Sequence, residues 1–458
     1  MVKYRARLIL QAANIAGGVM AVHMAYIAAY YIRFHGTPPL ENFGPYIKVG
    51  PFITGAILIF LGIYGMHNNV RKTLPEIFSS VFVIMFLISV TSVAISYFFG
   101  RFAFPRSVFL ISAALQLVFL NTWFCVMRFF ERTAHGKRQV IIIGEYSRCR
   151  ALHEKLENDS EGLFVVDGII TEAQSVMCAM ETGVSIVGNY ENYKNKMAFA
   201  ENNNKIFIMC SELNPDVKMD IIYFCLKNNI SLYVIPQIYE ILLAQSRIVQ
   251  IDDIMLFGLG GLQLDPNYRL VKRLMDVVIS SAALLLLAVP ICITAVIIKI
   301  DSKGPVFYRQ KRVGENGRIF RIYKFRTMIQ NAEQGTGPVL AESDDFRVTT
   351  VGKFLRSTRM DELPQLINVL KGEMSLVGPR PERPFFVNQF SQTIPDYIYR
   401  THIKAGVTGL AQVEGKYSTS PQDKLRYDLL YAKTYSPLND VKILFKTLKI
   451  LFIRSRSL

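Results

Sequence analysis

Four apolar stretches in the first third of the chain, roughly 8–32, 47–66, 77–99 and 108–126, constrain its fold more than any other feature. Each is close to the ~20 residues that carry a helix across a hydrocarbon core about 30 Å thick. Backbone polar groups in hydrocarbon must bond within their own segment, so four helices are expected, gathered into a bundle over 1–135. Lys3, Arg5 and Arg7 precede the first stretch, Arg71 and Lys72 lie between the second and third, and Arg128, Arg132, Lys137 and Arg138 follow the fourth. Basic residues favour cytoplasmic loops, which puts both ends of the bundle inside. Arg33, Arg101 and Arg106 on the outer side weaken that bias without reversing it. The first stretch is too long for a signal peptide and no small-residue cleavage site follows it, so it reads as an anchor.

Composition agrees with a membrane protein that carries soluble parts. The 458 residues exceed one ordinary domain; 51% are hydrophobic, and the mean hydropathy is +0.26. The formal charge of +16 and the pI of about 9.5 suit contact with anionic lipid, phosphorylated substrates or nucleic acid. Positive-inside loops account for part of the excess. The six cysteines, Cys125, Cys149, Cys178, Cys210, Cys225 and Cys292, form no Cys-x-x-Cys pair. They imply no zinc site or disulfide framework, and reduced thiols facing the cytoplasm are expected.

A soluble segment follows, over about 136–262. Val140-Ile141-Ile142-Ile143-Gly144 reads as a buried strand ending at a glycine, with a polar helical stretch around Arg148 to Asn158. Further apolar runs at Phe164-Val165-Val166, Val184-Ser185-Ile186-Val187, Ile206-Phe207-Ile208-Met209 and Leu232-Tyr233-Val234-Ile235 predict a parallel α/β sheet of Rossmann-like type. The turn Gly144-Glu145-Tyr146-Ser147-Arg148-Cys149 lacks the second and third glycines of a dinucleotide fingerprint. A structural or regulatory role is therefore expected here, rather than a bound nucleotide.

The third unit, 263–458, opens with Arg269, Lys272 and Arg273. It then enters an apolar stretch, Val277 to Ile298, interrupted by Pro290 and followed by Lys299, Lys303, Arg309, Lys311 and Arg312. Cations on both flanks leave two readings: a fifth span, or a re-entrant helix over about 274–300 that breaks at the proline. Beyond it, Tyr323-Lys324-Phe325-Arg326-Thr327-Met328 and later Arg356, Arg359, Arg380 and Arg383 offer forks and point charges for phosphate, or a basic face for lipid. Leu363, Leu366, Ile367 and Leu370 recur at helical spacing, so a helix with one buried face starts near Pro364 and stops at Gly372. Asp361 and Glu362 then sit at or just before its N-terminus. They are either capping acids or a pair able to share Mg²⁺ with a diphosphate and to attack phosphorus, with nearby arginines keeping Asp361 ionised. Leu376-Val377-Gly378-Pro379-Arg380-Pro381 fixes an arginine between two prolines. Ile403-Lys404-Ala405-Gly406-Val407-Thr408-Gly409-Leu410 is a second turn whose amides could face an anion.

Together with Lys272-Arg273-Leu274-Met275-Asp276, Gly304-Pro305-Val306-Phe307-Tyr308-Arg309-Gln310, Asp361-Glu362-Leu363-Pro364-Gln365, Gly406 to Val413 and Tyr431 to Asp440, these blocks resemble the bacterial sugar transferases. These are the monotopic polyprenyl-phosphate glycosyl-1-phosphate transferases, and the likeness runs from Arg269 to about Phe452. The bundle and the degenerate nucleotide-fold domain resemble the long members of exopolysaccharide and capsule pathways. The resemblance implies an α-rich (α/β) catalytic domain whose re-entrant helix, broken at Pro290, keeps the site on the cytoplasmic face of a bacterial inner membrane. It implies Asp361 as nucleophile and Glu362 as its partner in holding Mg²⁺. Lys324, Arg326 and Arg380 are the phosphate-binding cations it implies, and Arg309 and Arg356 join them as candidates from the cation-rich segments themselves. The family often has Ser-Pro at the break, where this chain has Val289-Pro290. The implied reaction takes a UDP-sugar, releases UMP and loads polyprenyl phosphate in the inner leaflet. Membrane lipids and a further copy of the chain are the other implied partners, and nucleic acid is not among them. A non-catalytic scaffold or sensor and a transporter are the competing classes. Retention of both acids argues against the first, and spans almost free of central charge argue against the second.

Overall fold

In the computed structural model, residues 2–99, 105–159, 163–172, 186–192, 194, 205–210, 213–244, 246–329, 345–416 and 419–450 are described. Arg101, Cys178, Val184 and Ser185, used in reading the sequence, lie outside them. The chain forms two compact units, Met1–Gln237 and Ile238–Leu458.

The first unit begins with four helices, α1 (Val2–Arg33), α2 (Leu40–Ile63), α3 (Leu74–Phe98) and α4 (Arg106–His135). All four are long and apolar enough to cross a membrane. Thr73 and Glu76 form a capping box at the start of α3, so the charged loop ends sharply where the apolar run begins. The loop between α2 and α3 is tied to α4: Arg128 Nε donates to the Lys72 carbonyl at 2.9 Å and Arg132 Nε to that of Val70 at 3.2 Å.

A five-stranded parallel sheet follows, in the order β3-β2-β1-β4-β5: β1 (Arg138–Ile143), β2 (Phe164–Thr171), β3 (Ile186–Asn189), β4 (Lys205–Met209) and β5 (Ser231–Val234). Val140 to Ile143 are buried on both faces, as expected for the central strand of a sheet covered on both sides. Two helices of this unit are α5 (Tyr146–Asp159) and α6 (Pro215–Lys227).

In the second unit, α7 (Ile238–Leu243) and the hairpin β6 (Arg247–Ile251) and β7 (Ile254–Gly258) precede a pair of helices, α8 (Pro266–Leu286) and α9 (Ala288–Asp301). These two are bent by 62° to one another. The bend falls at Leu287 rather than at Pro290, which lies in the first turn of α9. A proline ring clashes with the carbonyl four residues back, here that of Leu286, so the chain breaks one turn upstream of the proline. The surface of α8 is inverted relative to a soluble helix. Leu270, Leu274, Val278, Leu285 and Leu286 are exposed, whereas Lys272, Asp276 and Ser280 are buried. Their four-residue spacing puts the three polar groups on one face. Lys272 Nζ reaches Asp440 at 2.6 Å and Tyr431 at 2.9 Å, and Asp276 accepts from the Ser375 hydroxyl at 3.0 Å and the Leu376 amide at 2.9 Å. Such a helix suits lipid outside and a polar core inside.

That core is built from the hairpin β8 (Phe307–Val313) and β9 (Ile319–Phe325), α10 (Thr350–Ser357), α11 (Gln365–Lys371), the parallel pair β10 (Ser375–Val377) and β11 (Gly406–Thr408), α12 (Pro384–Thr393), α13 (Leu410–Glu414), α14 (Pro421–Lys433) and α15 (Pro437–Ile450). Leu366, Val369, Met374, Leu376, Ile403, Tyr431 and Ile443 share one apolar cluster.

Candidate active site

The acid pair is placed by backbone geometry. Arg359 adopts a left-handed conformation with φ of 56°, and Met360–Glu362 form a single 3₁₀ turn before Pro364 caps α11. Gly372, with φ of 83°, ends α11, a left-handed position that glycine takes without steric cost. The buried face of α11 is not the one its leucine spacing suggests. Ile367 is 37% exposed, and Gln365, Leu366, Asn368 and Val369 point inward. Asn368 stitches α11 to β9: it accepts from the Tyr323 amide at 3.0 Å and donates to the Arg321 carbonyl at 2.8 Å. That contact sets Lys324, the next residue of β9, against the acids.

Lys324 Nζ lies 2.7 Å from Glu362 Oε1 and 4.0 Å from Asp361 Oδ2. Arg380 Nη2 donates to the same Glu362 oxygen at 2.7 Å. Two cations thus converge on Glu362. Burial opposes its charge, but Arg380 and Lys324 outweigh burial and hold the carboxyl well below the usual range. Asp361, only 9% exposed, accepts no hydrogen bond among the described residues. Burial pushes its carboxyl up to about 6 and the charge of Glu362 adds to that, while Lys324, Arg380 and Arg356 pull the other way. The arginines expected to favour ionised Asp361 do act on it, but burial opposes them, and the closest cations, Lys324 and Arg380, reach Glu362 first. A buried, weakly partnered carboxylate beside a fully neutralised one is a suitable nucleophile for an electrophile that brings its own negative charge.

Of the cations singled out in the sequence, Lys324 and Arg380 meet the acids directly. Arg356 extends from α10, which is pressed onto the end of the hairpin so closely that a Cβ on Gly352 would lie 2.1 Å from the Thr327 carbonyl oxygen. Its Nε donates to Thr327 Oγ1 at 3.0 Å, and its charge reaches Asp361. Two others are not directed at the pair. Arg326 is buried, and its Nη groups donate to the carbonyls of Ile298, Ser302 and Lys303 and to the Ser302 hydroxyl at 2.7 to 3.3 Å. It ties the C-terminal end of α9 to the two residues that follow the helix. Arg309 pairs with Tyr323 across the hairpin, one residue out of phase with the Tyr308–Lys324 pair. Side chains alternate along a strand, so Arg309 faces away from Lys324. Its guanidinium lies 5.0 Å from the centre of the Tyr323 ring. Arg359, one of the cations read as a fork for phosphate or a basic face for lipid, lies two residues before Asp361. Glu362 and Asp361 both act on its charge, and its left-handed backbone is not visible in composition or spacing.

The two glycine turns cooperate. A Cβ on Gly406 would lie 2.1 Å from the Gly378 nitrogen, and one on Gly409 would lie 2.1 Å from the Gly378 oxygen. The Gly406 amide donates to the Pro379 carbonyl at 2.9 Å. That amide supports the Gly378-Pro379-Arg380-Pro381 turn instead of facing an anion.

Residues 267–454 match the family described as Bacterial sugar transferase, and residues 60–209 match the family described as CoA-binding domain. A UDP-glucose:undecaprenyl-phosphate glucose-1-phosphate transferase of Klebsiella pneumoniae is 33% identical over 324 residues, covering 70% of this chain and 69% of that protein. Its counterpart in Escherichia coli K12 is 32% identical over 318 residues, covering 68% and 67%. A UDP-N-acetylgalactosamine-undecaprenyl-phosphate N-acetylgalactosaminephosphotransferase of Aeromonas hydrophila is 46% identical over 228 residues, covering 49% of this chain and 53% of that protein. The turn after β1 in that second segment departs from a dinucleotide-binding turn. At the end of β1, a Cβ on Gly144 would lie 2.6 Å from Cys210 Cβ, the Gly144 amide is bonded to the Ile170 carbonyl at 3.1 Å, and Glu145 follows. The Gly144 amide is therefore not free to meet a pyrophosphate. The acid pair, its two cations and the bent apolar helix pair all lie within the matched catalytic segment, and the chain is a member of the bacterial sugar transferase family.

Proposed function

We propose that this chain transfers a sugar 1-phosphate from a UDP-sugar to undecaprenyl phosphate through a covalent Asp361 intermediate. The observation that carries the reading is the asymmetry of the acid pair: Glu362 is neutralised by Lys324 and Arg380 at 2.7 Å each, and the buried Asp361 carboxylate beside it accepts no hydrogen bond among the described residues. Asp361 Oδ attacks the β-phosphorus of the donor, the bond from that phosphorus to the bridging oxygen breaks, and UMP departs with that oxygen. An oxygen of undecaprenyl phosphate then attacks the phosphosugar and frees Asp361, leaving a diphosphate-linked sugar on the lipid. Lys324 and Arg380 hold charge where it develops. Arg380 has 41% of its side chain exposed and keeps donors open toward solvent for a phosphate.

Among the described residues no three His, Cys, Asp or Glu groups cluster as a metal site. Two carboxylates alone suit Mg²⁺, which takes few protein ligands and completes its shell with water and substrate oxygens. Asp361 and Glu362 would hold it, and it would neutralise the donor diphosphate. The exposed apolar face of α8 supports a site at the membrane surface, on the cytoplasmic side of the inner membrane where UDP-sugars are found. The product would begin the repeat unit of an exopolysaccharide, capsule or O-antigen. UMP release from a panel of UDP-sugars, with undecaprenyl phosphate and Mg²⁺, tests the reading. One productive donor with the parent and none with Asp361→Asn supports it; equal release by both removes Asp361 as nucleophile.

A further inference from the structure

Arg380 lies between two prolines, so neither the residue it follows in the turn nor the one after it can donate a backbone hydrogen bond. The turn must be held through its carbonyls, and each carbonyl is met from a different direction. Pro379 O accepts from the Gly406 amide at 2.9 Å, Arg380 O from Arg400 Nη2 at 3.0 Å, Pro381 O from Arg312 Nη1 at 3.0 Å, and Glu382 O from the Val313 amide at 2.9 Å. Two of these donors are backbone amides of β11 and β8, and the third, Arg312, is a cation on β8 itself. The fourth, Arg400, is itself buried at 6% exposure and lies outside every motif that marks the family in this sequence.

Arg400 is held on three sides. Its Nε and Nη2 lie 3.0 and 2.8 Å from Asp428 Oδ2, its Nη1 reaches the Tyr397 hydroxyl at 2.5 Å, and its guanidinium carbon is 5.0 Å from the Tyr397 ring centre. Asp428 and Tyr397 are 2% exposed each. A buried ion pair of this kind is not a good source of stability, because desolvation cancels most of the attraction. Here one fork joins α14, which carries Asp428, to the backbone of the residue that neutralises Glu362.

We infer that Arg400 and Asp428 are positioning residues that fix the Arg380 backbone, and through it the aim of the Arg380 guanidinium at Glu362 and the donor phosphate. The inference rests on the transfer reading above. Arg400→Lys keeps a charge beside Asp428 but loses the fork that also reaches Arg380. In the full-length protein it should lower kcat for UMP release about tenfold and weaken donor and UDP binding severalfold, because displacement of a group by even 1 Å costs up to about a hundredfold. The distinguishing measurement is a double-mutant cycle. In an Arg380→Lys background, Arg400→Lys should change kcat by less than about twofold, since the group it aims is already altered. A merely structural role predicts the same loss in both backgrounds, and that result, or no loss in the parent, overturns the inference. If Arg400→Lys does not fold, Tyr397→Phe is read in the same two backgrounds: loss only where Arg380 is intact supports the inference, and equal or absent loss overturns it. UDP affinity by calorimetry repeats the cycle without turnover. A parent that releases no UMP therefore sinks the transfer reading, while the coupling between positions 400 and 380 is decided by UDP binding.

Discussion

The pH dependence of donor turnover follows from the unequal acid pair. Asp361 must be ionised to attack phosphorus, and burial together with the Glu362 charge places its carboxyl at about 6. Glu362 is held well below the usual range and stays ionised throughout. A single acid limb of unit slope should therefore appear in kcat/KM, which reports the free enzyme. With a midpoint near 6, the ionised fraction falls to roughly one in eleven at pH 5, so activity should drop about tenfold between pH 7 and pH 5. An aspartate at its ordinary value would lose less than about a tenth of its activity over the same interval. The assay is the initial rate of UMP release at subsaturating donor over pH 4.5 to 8 at fixed ionic strength. Lys324→Met removes the cation that lies between the two carboxylates, so the limb should move to higher pH in that variant. A limb at or below pH 4.5 in the parent, or one unmoved in Lys324→Met, would refute the reasoning.

The same shift predicts a stability change. A folded-state value of about 6 against 3.8 unfolded means that ionised Asp361 costs roughly 3 kcal/mol above pH 6, and the cost vanishes as pH falls below 4. Asp361→Asn should therefore raise the thermal midpoint at pH 7.5 and not at pH 4, as read by differential scanning in lipid nanodiscs. Arg326→Ala should lower that midpoint through a loss of about 3 kcal/mol of stability for the four hydrogen bonds removed at the end of α9, with donor KM within about twofold in the folded fraction; a raised KM with unchanged stability would return Arg326 to the substrate site. Arg309→Ala should leave kcat and KM within about threefold, because it faces away from Lys324, and a loss beyond tenfold would place it among the phosphate contacts.

Features that depend on one-dimensional pattern were legible in the sequence. The four spans follow from uninterrupted hydropathy, the parallel sheet from buried β-branched runs, and the helix after the acids from its spacing and from Gly372. Features that depend on a local change of backbone were not. A 3₁₀ turn at Met360–Glu362 precedes α11, whose Ile367 is exposed, and nothing in spacing distinguishes that turn from a first α-helical turn. Lys324 and Arg326 are two residues apart, which on one strand would set them on one face. β9 ends at Phe325, so Arg326 escapes the alternation and goes to the helix end. Arg309 fell in a dense run of cations, and only the hairpin register assigns it to the opposite face. The bend before Pro290 was anticipated in kind but displaced, because proline disrupts the turn that precedes it.

The account turns on Asp361 bearing the phosphosugar. The most direct measurement is mass spectrometry of the Asp361 peptide after incubation of the full-length protein with its UDP-sugar and Mg²⁺, with no undecaprenyl phosphate added. The account predicts the mass of one sugar phosphate on Asp361, lost when undecaprenyl phosphate is supplied and absent from Asp361→Asn. Full turnover with an unmodified Asp361 peptide, or the same mass on another residue, would contradict it.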